Sequence, residues 1–212
     1  MTRTAFRSVT DILGVPPLAK TGRQRLVAAA VELFYRNGFA AVGVDRVIAE
    51  AGVTKTTFYK HFESKDDLIV AAVRQRDEWE RSAWTRIVRE RAGEDAGAQM
   101  LAWVDLLDEW FNADDYLGCM FTNAAAEFPN PHDPVHQAAT EHMRQVRAYW
   151  HGLVTAAGAS AADSDKLVDA YLAMIEGTLM VRQAGGRNDA ARAIRPGVEQ
   201  LIKAFLGDRP AK

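Results

Sequence analysis

The sequence predicts an all-α fold: a small three-helix head containing a helix-turn-helix, followed by a larger helical body. Three observations carry this. Apolar residues recur at helical spacing over most of the 212 residues, and no segment shows sustained apolar–polar alternation between hairpin turns. Glycines and capping residues break the pattern at helix-length intervals. Charge is segregated: residues 1–65 hold ten Lys/Arg against five Asp/Glu, +5, and residues 66–212 hold sixteen against twenty-three, −7.

Residues 1–20 carry Arg3, Arg7, Gly14 and the pair Pro16-Pro17 with little periodicity, and read as a flexible basic arm. From about Gly22 to Asn37, Leu26, Ala30, Leu33 and Phe34 fall on one stripe of a helix. Gly38 supplies a left-handed end, and Phe39 folds back onto Phe34. A short helix over about Asp45–Ala51 turns Val44, Val47, Ile48 and Ala51 inward and stops at Gly52. Thr54 caps the next helix, which runs to about His61. Ser64 caps a long one, to about Glu90, with Asp66 and Asp67 at its positive end.

Further helices are predicted over about Glu94–Phe111, Leu117–Glu127, Asp133 or Pro134 to Ala157, and Ser164–Gln183. Gly185-Gly186 breaks the chain before a last helix ending near Leu206. Pro196 either kinks that helix or is its first residue.

The segment from Gly52 to Lys65 holds the densest chemistry. Phe58 and Phe62, four apart, face a small core with Val47 and Leu33. Lys55, Thr56, Thr57 and Lys60 are left on the opposite side, where lysine reaches guanine acceptors or phosphate and threonine a phosphate or a thymine methyl. Tyr59 and His61 flank them and donate to phosphate. Lys65 adds charge to the first turn of the next helix, where free backbone N–H groups already favour an anion. The alternative is a solvated helix face, with chance segregation of charge. The constellation inside a +5 segment favours double-stranded DNA as the partner.

Four blocks together resemble one family: Gly22–Phe34 with Asn37-Gly38-Phe39, then Val44–Lys55, then Phe58-Tyr59-Lys60-His61-Phe62, then Ser64–Leu68. They look like the N-terminal domain of TetR-type (tetracycline-repressor-like) transcriptional regulators, and Gly118–Pro129 looks like one branch of it. The resemblance implies a homodimer, joined through the last two helices, with two DNA-binding heads on an all-helical ligand-binding core. By position, Lys55, Thr56, Thr57 and Lys60 face bases, while Tyr59, His61 and Lys65 hold phosphates. Gly43 departs from the pattern, because the family often has Ser or Thr there, capping a helix and touching phosphate. The implied domains are an arm (1–20), a DNA-binding domain (21–65) and a ligand-binding and dimerisation domain (66–212).

The body is rich in large flat side chains, which a helical domain buries to fold and which also suit a pocket for an apolar or aromatic effector. The resemblance places a pocket among the helices between about Ser64 and Gln183. Its candidate lining is Trp103, Trp110, Met120, Phe121, Asn123, Tyr149, Trp150, Tyr171 and Met174, with Glu127 and Asn123 as orienting polar groups. His132, His136, His142, Asp133 and Glu141 lack the tight spacing of a metal site, so neither metal nor cofactor is expected. The single Cys119 fits a reducing compartment. No catalytic motif is present, and the chain is not expected to be an enzyme. No apolar run reaches membrane-spanning or signal-peptide length, so a cytoplasmic protein is expected. The regulator is expected to be a repressor released from a palindromic operator by its effector. The alternatives are an activator, a ligand-independent regulator, or a helical ligand-binding protein without DNA function.

Overall fold

The computed structural model describes residues 8–207, and these form ten helices and no strand. They are α1 Val9–Leu13, α2 Gly22–Asn37, α3 Val44–Glu50, α4 Lys55–His61, α5 Lys65–Ala92, α6 Ala96–Phe111, α7 Met120–Glu127, α8 Pro134–Ala156, α9 Ala161–Gly185 and α10 Ala190–Leu206. Arg3 and Arg7 lie outside the described residues.

Most boundaries follow local chemistry. Thr21 and Gln24 form a reciprocal capping box at α2. Thr54 Oγ1 accepts the Thr57 N–H at 3.1 Å, and Ser64 Oγ accepts the Asp67 N–H at 3.0 Å. Gly38 ends α2 with φ +80°, a conformation that side chains with a Cβ rarely adopt. At two places the structure bears directly on expectation. Residues 9–13, read from the sequence as part of a flexible arm, form α1 and bury Val9, Ile12 and Leu13. Five residues are too few for periodicity to register. In α10 the helix neither begins at Pro196 nor stops there. Ala190 and Ala191 are buried, and Arg192 and Arg195 pair with Asp108 and Asp105 of α6 at 2.9 and 3.0 Å. These tertiary bonds hold the turns before the proline helical.

The chain groups into two compact units. One contains residues 16–81 and 117–144, the other residues 8–15, 82–116 and 145–207. Thus α5 passes between units after Arg81, and α8 after Arg144. In the first unit, α2, α3 and α4 close over Leu26, Ala30, Phe34, Val47, Phe58 and Phe62, all nearly or fully buried. Phe34 and Phe39 meet at 5.4 Å between ring centroids, as expected. On α5, Asp77 accepts from Arg81 and lies 2.7 Å from His142 Nδ1 of α8. Burial pushes the Asp77 carboxyl up, but those two partners outweigh it and hold it below the ordinary carboxylate range.

The second unit is built on an aromatic stack. Trp84 meets Trp103 at 4.6 Å and stacks on Trp150 at 6.0 Å; Trp150 meets Tyr171 edge-on at 5.4 Å. The Tyr171 hydroxyl donates to the Met100 carbonyl at 2.9 Å, and that of Tyr149 to Gln99 Oε1 at 2.7 Å. Such rings bury large apolar area, and here the two tyrosine hydroxyls stay bonded.

Gly97 of α6 permits a close approach to α10, since a Cβ there would sit 2.8 Å from Ile202 Cγ2. A Cβ on Gly152 of α8 would meet nothing within 4 Å. Gly97→Val is therefore expected to destabilise the protein by about 1–3 kcal/mol. Gly152→Ala should stabilise it by about 0.5–1 kcal/mol. Urea unfolding of both variants checks the contrast.

Candidate nucleic-acid interface

The interface is assembled by the two phenylalanines of the α4 region. Phe58 is 1 % exposed and Phe62 4 %, with ring centroids 5.7 Å apart. With that face committed to the core, Lys55, Thr56, Tyr59 and Lys60 emerge on the other and line a shallow surface concavity. Tyr59 stays 58 % exposed, edge-on to Phe58 at 5.1 Å. His61 is exposed on the same short helix. An exposed strip of two lysines, a threonine and a phenol offers donors to phosphate and to base edges.

Three of the sequence-predicted contacts have polar partners within the protein: Thr57, Lys65 and Lys55. Thr57 is half-buried; its hydroxyl is 2.9 Å from that of Thr54, and its methyl would lie 3.0 Å from a Cβ on Gly22. Lys65 is half-buried, and its Nζ donates to the Ala40 carbonyl at 3.3 Å, bracing the loop between α2 and α3. Gly43 is the N-cap of α3 and makes no side-chain cap bond, as its lack of a hydroxyl requires.

Three features escape sequence reasoning. Asp45 of α3 pairs with Lys55 at 3.3 Å, in an exposed bridge. Arg23 lies over the Phe62 ring at 5.2 Å. The Glu127 carboxylate, at the end of α7, accepts the N–H groups of Phe39 at 3.1 Å and Ala40 at 2.9 Å. Glu127 was expected to orient an effector; the structure engages its carboxylate with the turn after α2. The sequence separation of 87 to 88 residues leaves no local signal for this bond.

The other predicted effector-lining residues divide between the units. Met120, Phe121 and Asn123 belong to α7 in the first, with Met120 and Phe121 buried. Trp103, Trp110, Tyr149, Trp150, Tyr171 and Met174 belong to the second. Trp150 and Tyr171 are fully buried. The indole N–H groups of Trp110 and Trp150 are buried without a hydrogen-bond partner.

The histidines do not converge. His142 is bonded to Asp77 and stacks on Phe121 at 3.6 Å; His136 Nδ1 lies 2.8 Å from the Phe128 carbonyl oxygen; His132 is exposed. Among the described residues no group of three or more His, Cys, Asp or Glu is placed to hold a metal ion. No described helix is long and apolar enough to cross a membrane.

A glycine-turned helix pair presenting a short basic helix defines a helix-turn-helix DNA-binding protein. Residues 26–72 match the family described as bacterial regulatory proteins, tetR family, and residues 98–198 match the tetracyclin repressor-like C-terminal domain. The crystal structure of SCO4454, a TetR-family transcriptional regulator from Streptomyces coelicolor, is 30% identical. It superposes with a TM-score of 0.74 over 87% of this chain and 96% of that one. The chain is also 22% identical to the HTH-type transcriptional regulator LmrA of Bacillus subtilis, over 85% of this chain and 96% of that protein. A shorter match, 40% identical over 53 residues, is to the HTH-type transcriptional activator FasR of Mycolicibacterium smegmatis; it covers 25% of this chain and 24% of that protein. The chain belongs to the TetR family of transcriptional regulators, which bind DNA operators as dimers and are not enzymes.

A Cβ on Gly43 would meet nothing within 4 Å, and its backbone (φ −82°, ψ 155°) suits any residue. Gly43→Ser is expected to add a few tenths of a kcal/mol of stability through the missing cap. It should also tighten DNA binding without changing sequence preference. Thermal melting and anisotropy titration on two unrelated duplexes check both parts.

Proposed function

We propose that the protein is a ligand-responsive repressor. It acts in the cytoplasm as a homodimer on a palindromic operator and is released when a small apolar or aromatic molecule binds its C-terminal domain. The observation that carries this reading is the α4 strip of Lys55, Thr56, Tyr59 and Lys60, held outward by a buried Phe58. In this reading residues 21–65 bind DNA, and residues 66–212 sense the effector and dimerise. Lys55, Thr56, Thr57 and Lys60 read base edges; Tyr59, His61 and Lys65 hold phosphates.

Dimerisation through α9 and α10 is supported by exposed apolar surface. Met180 is 64 % and Val181 43 % exposed, and Gly177, one turn earlier on α9, is exposed with open space at its Cβ position. Gly177→Arg is expected to shift the protein from dimer to monomer in sedimentation equilibrium. A dimer of unchanged affinity would place the interface elsewhere.

The effector chemistry is supported by Trp103, Trp110, Tyr149, Trp150, Tyr171 and Met174, with the Trp110 and Trp150 indoles as donors. The ligand favours a body conformation in which α5 carries the two heads out of register with half-sites about 34–36 Å apart, or a multiple of that. The activator reading is separated by transcription from the operator in vitro, where a repressor lowers and an activator raises the transcript.

Lys65→Ala is expected to weaken binding on all sequences alike and to flatten the salt dependence by about one unit. Lys60→Ala should instead change which bases are preferred, by about 1–3 kcal/mol at one position. Titrations on the DNA upstream of the protein's own gene, at several salt concentrations, decide both. Absence of binding by the unaltered protein there and on random-site selection would overturn the DNA reading.

A further inference from the structure

We propose that Glu127 is a positioning residue for DNA binding. From the end of α7 it clamps the turn from which α3 emerges, in place of the side-chain cap that α3 lacks. This deepens the reading of α4 as the DNA-contacting helix and rests on it.

Residues 38–43 join α2 to α3 within the first unit, which also contains α7. The N–H of Phe39 donates to Glu127 Oε1 at 3.1 Å and that of Ala40 to Oε2 at 2.9 Å. One carboxylate thus takes two consecutive amides, one on each oxygen, and so fixes the orientation of the turn as well as its distance. Gly38 makes the approach possible, since a Cβ there would sit 3.2 Å from Glu127 Oε1. Phe128, the next residue, adds an apolar contact: its ring meets that of Phe39 edge-on at 6.0 Å. On the carbonyl side of the same turn, Lys65 Nζ donates to Ala40. Phe39 and Val42 are buried, so a shift of the turn also disturbs the core beneath it.

α3 depends on this grip more than most helices would. Seven residues form a helix with little stability of its own. Its N-cap, Gly43, makes no side-chain bond to the first amides. Where α3 begins is therefore decided by where the turn is held. α3 packs on α4, and Asp45 in its first turn pairs with Lys55 of the exposed strip. A released turn lets α3 shift, and α4 with it. Charge alone makes the opposite demand: removing an acidic side chain from a protein that binds a polyanion tightens binding or leaves it unchanged. The sign of the effect therefore separates positioning from charge.

The test uses the full chain and the duplex upstream of the protein's own gene. Glu127→Ala removes the clamp; Glu127→Gln keeps its shape and one acceptor. Affinity is expected to fall by about threefold or more in Glu127→Ala, as the competent head becomes a smaller fraction of the ensemble, and by less in Glu127→Gln. The salt dependence should stay that of the unaltered protein, because no phosphate contact is lost. Without DNA, amide exchange at Phe39 and Ala40 should quicken by about tenfold or more in Glu127→Ala, while the amides of α9 keep their rates. Adding Gly43→Ser should recover more affinity in Glu127→Ala than it adds to the unaltered protein, because a cap matters most where the clamp is gone. Affinity of Glu127→Ala equal to or tighter than that of the unaltered protein overturns the positioning role, even if exchange quickens. Unchanged exchange at both amides overturns the clamp itself. If the unaltered protein binds neither this duplex nor any from random-site selection, the DNA reading fails instead, and the exchange rates still decide the clamp.

Discussion

The structure's function depends on the burial of Phe58 and Phe62 in a core only three helices deep. Phe58 within a seven-residue helix and Phe62 at its C-cap are both buried, and rotation of the helix about its axis is then no longer free. The opposite face, carrying Lys55, Thr56, Tyr59 and Lys60, is exposed by exclusion. A short helix of this composition has little propensity of its own, so the orientation of its polar side chains is a packing result. Losing either ring would leave a cavity costing about 3–5 kcal/mol and would release the strip as well.

Around that core, charged groups fix loops and leave the exposed α4 strip largely open. Lys65 braces the Ala40 carbonyl, and Glu127 holds the N–H groups of Phe39 and Ala40. The loop between α2 and α3 is thus gripped by a cation and an anion from two distant helices. The Lys55–Asp45 bridge is exposed and worth little, so a phosphate can compete for the lysine. Gly43 is the weak point of this frame, since α3 begins with no side-chain cap.

The body uses its aromatic residues differently. Trp84, Trp103, Trp150 and Tyr171 stack into a core in which the tyrosine hydroxyls are bonded and two indole N–H groups are not. Bonded groups make such a core rigid, and unbonded buried donors are sites where an acceptor on a guest molecule gains the most. In the proposed reading, sensing and DNA reading are linked through α5, whose residues belong to both units.

Periodicity and caps alone determined α2, α3, α4 and the start of α5, and with them the exposed basic face proposed to read DNA. Those signals are local: a threonine or serine bonds an N–H three residues on, a glycine takes a positive φ, and phenylalanines four apart share a side. Only tertiary structure decided the rest. α1 forms because Asp115 and α6 receive it, α10 continues through Pro196 because two arginines bind α6, and Glu127 serves a turn formed almost ninety residues earlier. Each of these rests on a partner distant in sequence. A chain read in order carries no sign of such a partner until folding closes the loop between them.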